Sequence, residues 1–180
     1  MNKLLSLLVI MIISAGLPIN LFAQEKCDSS SLVALSRDTK VKLKSGGKYA
    51  IFLSGNDALF TRIMEDALSI HLTNAGFAVA SRERLEKTVG DEMNKKRKEK
   101  AEGAINALEI GKAVGADCII IGTVIIEIGE QSTFVKIASF QLVAVENEKT
   151  LISHLLESEK GKLISDTAKE FVNLLKQHIE

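Results

Sequence analysis

The chain has no tryptophan and a single tyrosine, Tyr49. Aromatic residues make up 4% of its 180 positions, so platforms for stacking nucleobases or sugars are scarce. No sign of charge dominates either: 23 Lys and Arg balance 23 Asp and Glu, which leaves no general electrostatic case for nucleic acid. With only Cys27 and Cys118 present, at most one disulfide can form within the chain. The three histidines, His71, His154 and His178, have no second His, Cys or carboxylate at a metal-binding spacing such as H-E-x-x-H. A G-x-S-x-G elbow is also missing, so a hydrolase serine of that type has no support.

What is present begins at the N-terminus. Lys3 is the only charge before Glu25, Leu4 to Ile13 is almost wholly apolar, and Leu21-Phe22-Ala23 ends in a small residue before polar Gln24-Glu25-Lys26. A charged start, a short apolar run and a small residue at the cut describe a secretory signal peptide over residues 1–23. The run is short for a membrane span, which needs about 20 residues, and Pro18 argues against one continuous helix. An uncleaved N-terminal anchor is the alternative. Cys27 raises lipidation, but Gln24-Glu25-Lys26 stand where lipoproteins place small residues; the competing reading is a free thiol. Cleavage leaves 157 residues, with 22 basic against 23 acidic, which suits one domain with a real core. Residues 24–31 read as a flexible segment and 32–180 as a single domain. The expected location is the periplasm, and association with the outer membrane is compatible with it.

The apolar pattern then predicts the elements. Leu32 to Lys44 is ambiguous: Leu32, Leu35, Thr39 and Leu43 fit a helix stripe, while Val41 and Leu43 alternate with lysines before Gly46-Gly47, as a strand would. The helix is favoured. Lys48 to Leu53 reads as a strand, Asp57 as the cap of a helix from Ala58 to Asn74, and Gly76 as its stop. A short strand over Phe77 to Ala80 follows, then a charged helix after Ser81 and another helix from Ala104 to Val114 that stops at Gly115. Asp117 to Ile128 is apolar at nearly every position, which suits a strand covered on both faces. Thr133 to Val145 and Thr150 to Leu156 are further strands joined by short turns, hence antiparallel neighbours. Ile164, Ala168, Phe171, Val172, Leu175 and Ile179 make one apolar face of a final helix. The strand–helix–strand unit over residues 48–80 is a parallel crossover. The fold class that follows is mixed α/β, a sheet with parallel and antiparallel pairs covered by helices.

Several of these segments together resemble one family. They are Tyr49-Ala-Ile-Phe-Leu53, Leu72-Thr-Asn-Ala-Gly76-Phe77, Val79-Ala-Ser-Arg82-Glu-Arg-Leu85, and Phe140-Gln-Leu-Val-Ala-Val145 with Glu148-Lys149-Thr150. The strongest is Ile110-Gly111-Lys112-Ala-Val-Gly115-Ala-Asp117 leading into Ile119-Ile-Ile-Gly122-Thr-Val. In order and spacing, over about residues 48–178, they resemble the envelope family that includes the curli secretion channel subunit CsgG, with FlgO-like flagellar proteins and LpoB-type activators of penicillin-binding proteins as wider relatives. The resemblance implies the fold of the CsgG periplasmic domain and an envelope location. It does not extend to pore formation. Only Gly129-Glu-Gln-Ser-Thr133 separates Ile128 from Phe134, and a membrane strand needs about 9–11 residues.

Chemistry is thin elsewhere. Gly111-Lys112 imitates a phosphate loop, but the upstream glycine is missing, Ala113 replaces the magnesium-binding hydroxyl, and the segment ends a helix rather than starting one. His71 reads as a satisfied histidine at the edge of the core, and Cys118 as a small hydrophobe. Carboxylate neighbours such as Glu65-Asp66 and the pair Glu157 and Glu159 read as solvated. The densest charge run, Lys95, Lys96, Arg97 and Lys98, is an exposed helix end or loop, or else a contact for anionic lipid, cell-wall polymer or an acidic partner. The expectation is a non-enzymatic envelope module that needs no cofactor and binds an envelope protein or cell-wall polymer but not nucleic acid. Homo-oligomerisation and peripheral membrane association are left open. The rival is a periplasmic small-ligand binder or an enzyme without a recognisable motif.

Overall fold

Cys118–Ile128 forms strand β4, and its run of β-branched side chains suits the interior of a sheet. The structure, a computed structural model, describes residues 29–35, 47–99, 107–129 and 132–178, with side chains described except at 29 and 92–99. Around β4 the remaining elements are β1 (Ser29–Leu35), β2 (Lys48–Gly55), α1 (Ala58–Asn74), β3 (Ala78–Val79), α2 (Arg82–Glu99), α3 (Ala107–Val114), β5 (Thr133–Ala144), β6 (Thr150–Lys162) and α4 (Ile164–Gln177). They build one six-stranded sheet in the order β1-β6-β5-β4-β2-β3. β2 runs parallel to both β3 and β4, while β4, β5, β6 and β1 pair antiparallel. The mixed sheet and its parallel crossover therefore stand as the apolar pattern implied.

Local signals account for the element ends. The Asp57 carboxylate accepts the Phe60 amide at 3.0 Å and caps α1. Gly115 takes a left-handed conformation, φ +65°, that ends α3 and turns the chain into β4. The next residues of that turn knit three strands together. The Asp117 carboxylate accepts the Lys48 amide at 2.8 Å, the Asp117 amide donates to the Lys48 carbonyl at 2.8 Å, and the Val145 amide donates to the Asp117 carbonyl at 2.9 Å. The Lys48 ammonium closes the corner on the Val114 carbonyl at 2.7 Å. The most family-like segment of the sequence thus performs a structural task.

The two faces of the sheet are covered unequally. On one face, α1 buries Met64, Leu68 and Leu72 and α4 buries Ala168, Phe171, Val172 and Leu175 against alternate residues of the strands. Phe140 and Phe171 meet there with ring centroids 4.8 Å apart. On the other face, α2 and α3 form a smaller core over Ala50, Ile119 and Val143.

Two expectations are corrected. Leu32 to Leu35 is strand, not helix, as part of β1; residues 36–44 of that segment lie outside the described residues. Pairing along β6 places Val33 opposite His154 and Leu35 opposite Ile152, and seven cross-strand partners outweigh a weak helix stripe. β4 is not covered on both faces along its length. Thr123 and Ile125 are exposed on the side away from α1, because α2 and α3 shield only the beginning of the strand. No helix among the described residues is long and apolar enough to cross a membrane.

Candidate functional site

Three places merit chemical scrutiny. The first is a serine, a histidine and a carboxylate brought together by β1, β6 and α4. His154 sits on the core side of β6, is 2% exposed, and stacks on Phe171 with ring planes 6° apart. Its Nε2 lies 2.8 Å from the Ser31 hydroxyl and 3.8 Å from Glu170 Oε1. A nucleophile relay needs the serine on one ring nitrogen and the carboxylate on the other, so that the acid orients the ring. Here both approach Nε2, while Nδ1 is buried without a partner among the described residues. Glu170 is further engaged by the Lys162 ammonium. Burial, together with nearby Lys162, depresses the His154 pKa below its ordinary 6.5, and Glu170 opposes this only in part. The result is a neutral imidazole that fastens β1 to the sheet, not a relay.

The second place is a groove of about 290 Å³ where β2 runs on past the end of β3. Its floor is Ile51, Phe52, Val79, Leu85 and Val89, and its charged wall is Glu65, Asp66 and Arg82. Arg82 opens α2 and reaches back to α1, pairing with Asp66 at 2.9 Å and Glu65 at 3.2 Å and donating to the Arg62 carbonyl at 3.0 Å. Glu65 also accepts the Leu53 amide at 3.0 Å, which covers one outward-facing group on the free edge of β2. These contacts occupy the guanidinium and Glu65, so the cluster clamps α1, α2 and the sheet edge together. Glu65 is accordingly a half-buried structural carboxylate rather than the solvated one its sequence neighbourhood suggested.

The third place is the part of the sheet that no described helix covers. Cross-strand register puts Phe52 beside Ile121, Ser54 beside Thr123, and Ile125 beside Ile137 on the side that α2 and α3 leave open. The same face continues through Ser139 and Leu155 to Leu32 on β1. Ser54 and Thr123 hydroxyls touch at 3.1 Å in its middle. No motif marks this surface. It could be recognised only from strand register, since each residue alone reads as ordinary strand content.

The remaining expected sites are scattered. Lys95, Lys96, Arg97 and Lys98 continue the α2 backbone, and their side chains lie outside the described residues. His71 is half-buried, with Nε2 3.3 Å from the Ser165 hydroxyl, so it bridges α1 to α4. Cys118 is a buried free thiol; desolvation, aided by the neighbouring Asp117 charge, pushes its pKa up to about 11. Cys27 and the residues 1–23 lie outside the described residues. The Tyr49 hydroxyl is buried beside Cys118 without a partner among the described residues, and burial raises its pKa. Among the described residues, no cluster of three His, Cys, Asp or Glu is placed to hold a metal ion.

No protein-family model and no curated protein sequence matches the chain. Among solved structures, it is similar to the PelC dodecamer from Paraburkholderia phytofirmans, at 13% identity and TM-score 0.50, over 83% of this chain and 96% of that one. It also resembles the LpoB C-terminal domain from Salmonella enterica, at 17% identity and TM-score 0.44, over 63% of this chain and 82% of that one. A third is a lipoprotein from Neisseria meningitidis, at 20% identity and TM-score 0.44, over 73% of this chain and 95% of that one.

Proposed function

We propose that the chain is a non-enzymatic module of the bacterial cell envelope, exported to the periplasm, which docks onto an envelope assembly through the open face of its sheet. The assembly belongs to secretion, flagellar or cell-wall machinery, and the domain is CsgG-like without membrane hairpins. The observation that carries this reading is the open face itself. It keeps Phe52, Ile125 and Leu32 exposed around a row of Ser54, Thr123 and Ser139 hydroxyls, a mixed apolar and polar surface of the kind protein contacts use, and it lies on rigid strands rather than on a loop. The signal-peptide pattern of residues 1–23 supports export, and the short link from Ile128 to Thr133 supports a domain without a pore. PelC, which shares the fold, is described as a dodecamer, which supports self-association as one form such docking takes. The buried histidine and the engaged Arg82 groove favour binding over turnover.

The test is crosslinking in intact cells, followed by capture of the tagged protein and identification of its neighbours, for the native chain and for Ile125→Lys. Recovery of one defined envelope assembly or of a ladder of the chain itself, lost in the variant, is the expected result. A native protein that stays uncrosslinked at its normal abundance overturns the docking reading.

A further inference from the structure

The two edges of the sheet are guarded unequally. A strand edge presents a row of main-chain donors and acceptors, and proteins blunt it with short strands, charges, proline or bulges. The β3 side is blunted: β3 has two residues, and beyond it the Glu65 carboxylate takes the Leu53 amide. The β1 side is not. Ser29–Leu35 is seven residues long, holds no charge and no proline, and pairs with β6 residue for residue without a bulge. Its far edge pairs with no strand among the described residues. A groove of about 390 Å³ lies between this strand and α4. Ser31 and Val33 line it from β1, and Asp166, Lys169, Asn173 and Gln177 line it from α4. On the other side of β1, Leu32 is 70% exposed.

We propose that the free edge of β1 takes an extended peptide segment of a partner protein as an added strand. The site is distinct from the open face around Ile125 and does not depend on docking there. Donors and acceptors alternate along a strand edge at the strand repeat, and another extended backbone meets them in register. A lipid or a glycan carries no such repeat. An added strand lies about 4.8 Å beyond β1, and its alternate side chains share the two faces of β1. Those on the side of Ser31 and Val33 point toward α4, where a carboxylate, an ammonium and two amides offer both acceptors and donors. Those on the other side meet Leu32. The occupant therefore alternates long polar residues with apolar ones. Main-chain bonds supply the affinity and the groove supplies the selectivity. The β1 strand of a second copy fits less well, because Ser29–Leu35 holds no long polar side chain for the groove.

The test uses the exported protein, purified as cells process it, and a capped peptide of about eight residues in which valine alternates with glutamine and arginine. Amide shifts in an NMR titration are expected to be confined to β1 and α4. Two further peptides carry N-methyl groups on one or the other alternate set of residues. Strand addition predicts that one set costs about tenfold or more in affinity and the other little, since only one set donates to β1. Val33→Lys, at a partly exposed position of the groove, is expected to weaken binding by about tenfold or more, while Ile125→Lys leaves it unchanged. Thermal melts check that each variant folds. Should Val33→Lys fail to fold, Asn173→Ala with Gln177→Ala, both on the exposed side of α4, takes its place and should erase the preference for long polar residues over alanine in the peptide. No binding at millimolar peptide, or equal loss with both methylated peptides, overturns the proposal. Binding lost with Ile125→Lys but not with the groove variants moves the peptide to the open face and also overturns it. A native chain that self-associates and is dispersed by Val33→Lys makes a second copy the occupant, against the proposal.

Discussion

His154 Nε2 stands 2.8 Å from the Ser31 hydroxyl across 123 residues of sequence, and this contact ties the edge strand β1 to the buried side of β6. With Nδ1 unpartnered in the core, the proton assigned to Nε2 leaves a bare lone pair at Nδ1, which costs less than a stranded N–H. Removing the hydroxyl with Ser31→Ala forfeits one hydrogen bond, about 0.5–1.5 kcal/mol. We expect amide exchange in β1 to accelerate by roughly two- to tenfold while the rest of the sheet is unchanged. Uniform acceleration across all strands would contradict a local role.

The same histidine sets an acid sensitivity. Its pKa is lowered in the fold from 6.5, so the unfolded chain takes up a proton at a higher pH than the folded one does. Its contribution is therefore fully present above about pH 6.5 and is lost as pH falls through the window between that value and the lower folded one. Thermal melts from about pH 7.5 to about pH 5 should show a steeper loss of stability for the native chain than for His154→Gln. Parallel curves would show that another group controls the window.

Ser31 should be chemically ordinary. Because Ser31 and Glu170 crowd the same ring nitrogen, nothing orients the imidazole to draw off the serine proton. A fluorophosphonate probe is expected to leave Ser31 unlabelled. Covalent labelling that Ser31→Ala removes would revive the enzyme reading.

Cys118 should be silent until the fold opens. Its thiol is 6% exposed and its pKa is pushed up to about 11, so thiolate is scarce at neutral pH and access is poor. Alkylation of Cys118 by iodoacetamide, read by peptide mass mapping, should track global unfolding in urea. Prompt labelling under native conditions would mean that β4 opens locally.

Arg82 and the lysine run separate stability from binding. Arg82→Gln breaks a half-buried pair to Glu65 and a more exposed one to Asp66, whose worth is reduced by solvent screening, and should cost about 1 kcal/mol. No change in the denaturation midpoint would mean that the clamp contributes nothing. Replacing Lys95, Lys96, Arg97 and Lys98 together by Gln is expected to leave that midpoint alone and to weaken binding to native envelope fractions at low salt. Unchanged binding at low salt removes the run from the docking surface.

Much of the architecture was legible along the chain because its signals are local. The Ile-rich run after Asp117, the cap at Asp57, the stop at Gly115 and the apolar face of Phe171, Val172 and Leu175 each act within a few residues, and each lies in the element it announced. β1 was not legible. Its helix-like spacing of Leu32 and Leu35 is overridden by pairing with β6, a partner more than a hundred residues away. Nor was the candidate site. Whether Ile125 is core or surface depends on how far α2 and α3 reach across the sheet, and whether Ser31, His154 and Glu170 form a relay depends on which ring nitrogen they meet. Periodicity and capping, which are short-range, determined the helices, most of the strands and the mixed sheet. Register, coverage and side-chain approach are long-range properties, and only the tertiary structure decided them.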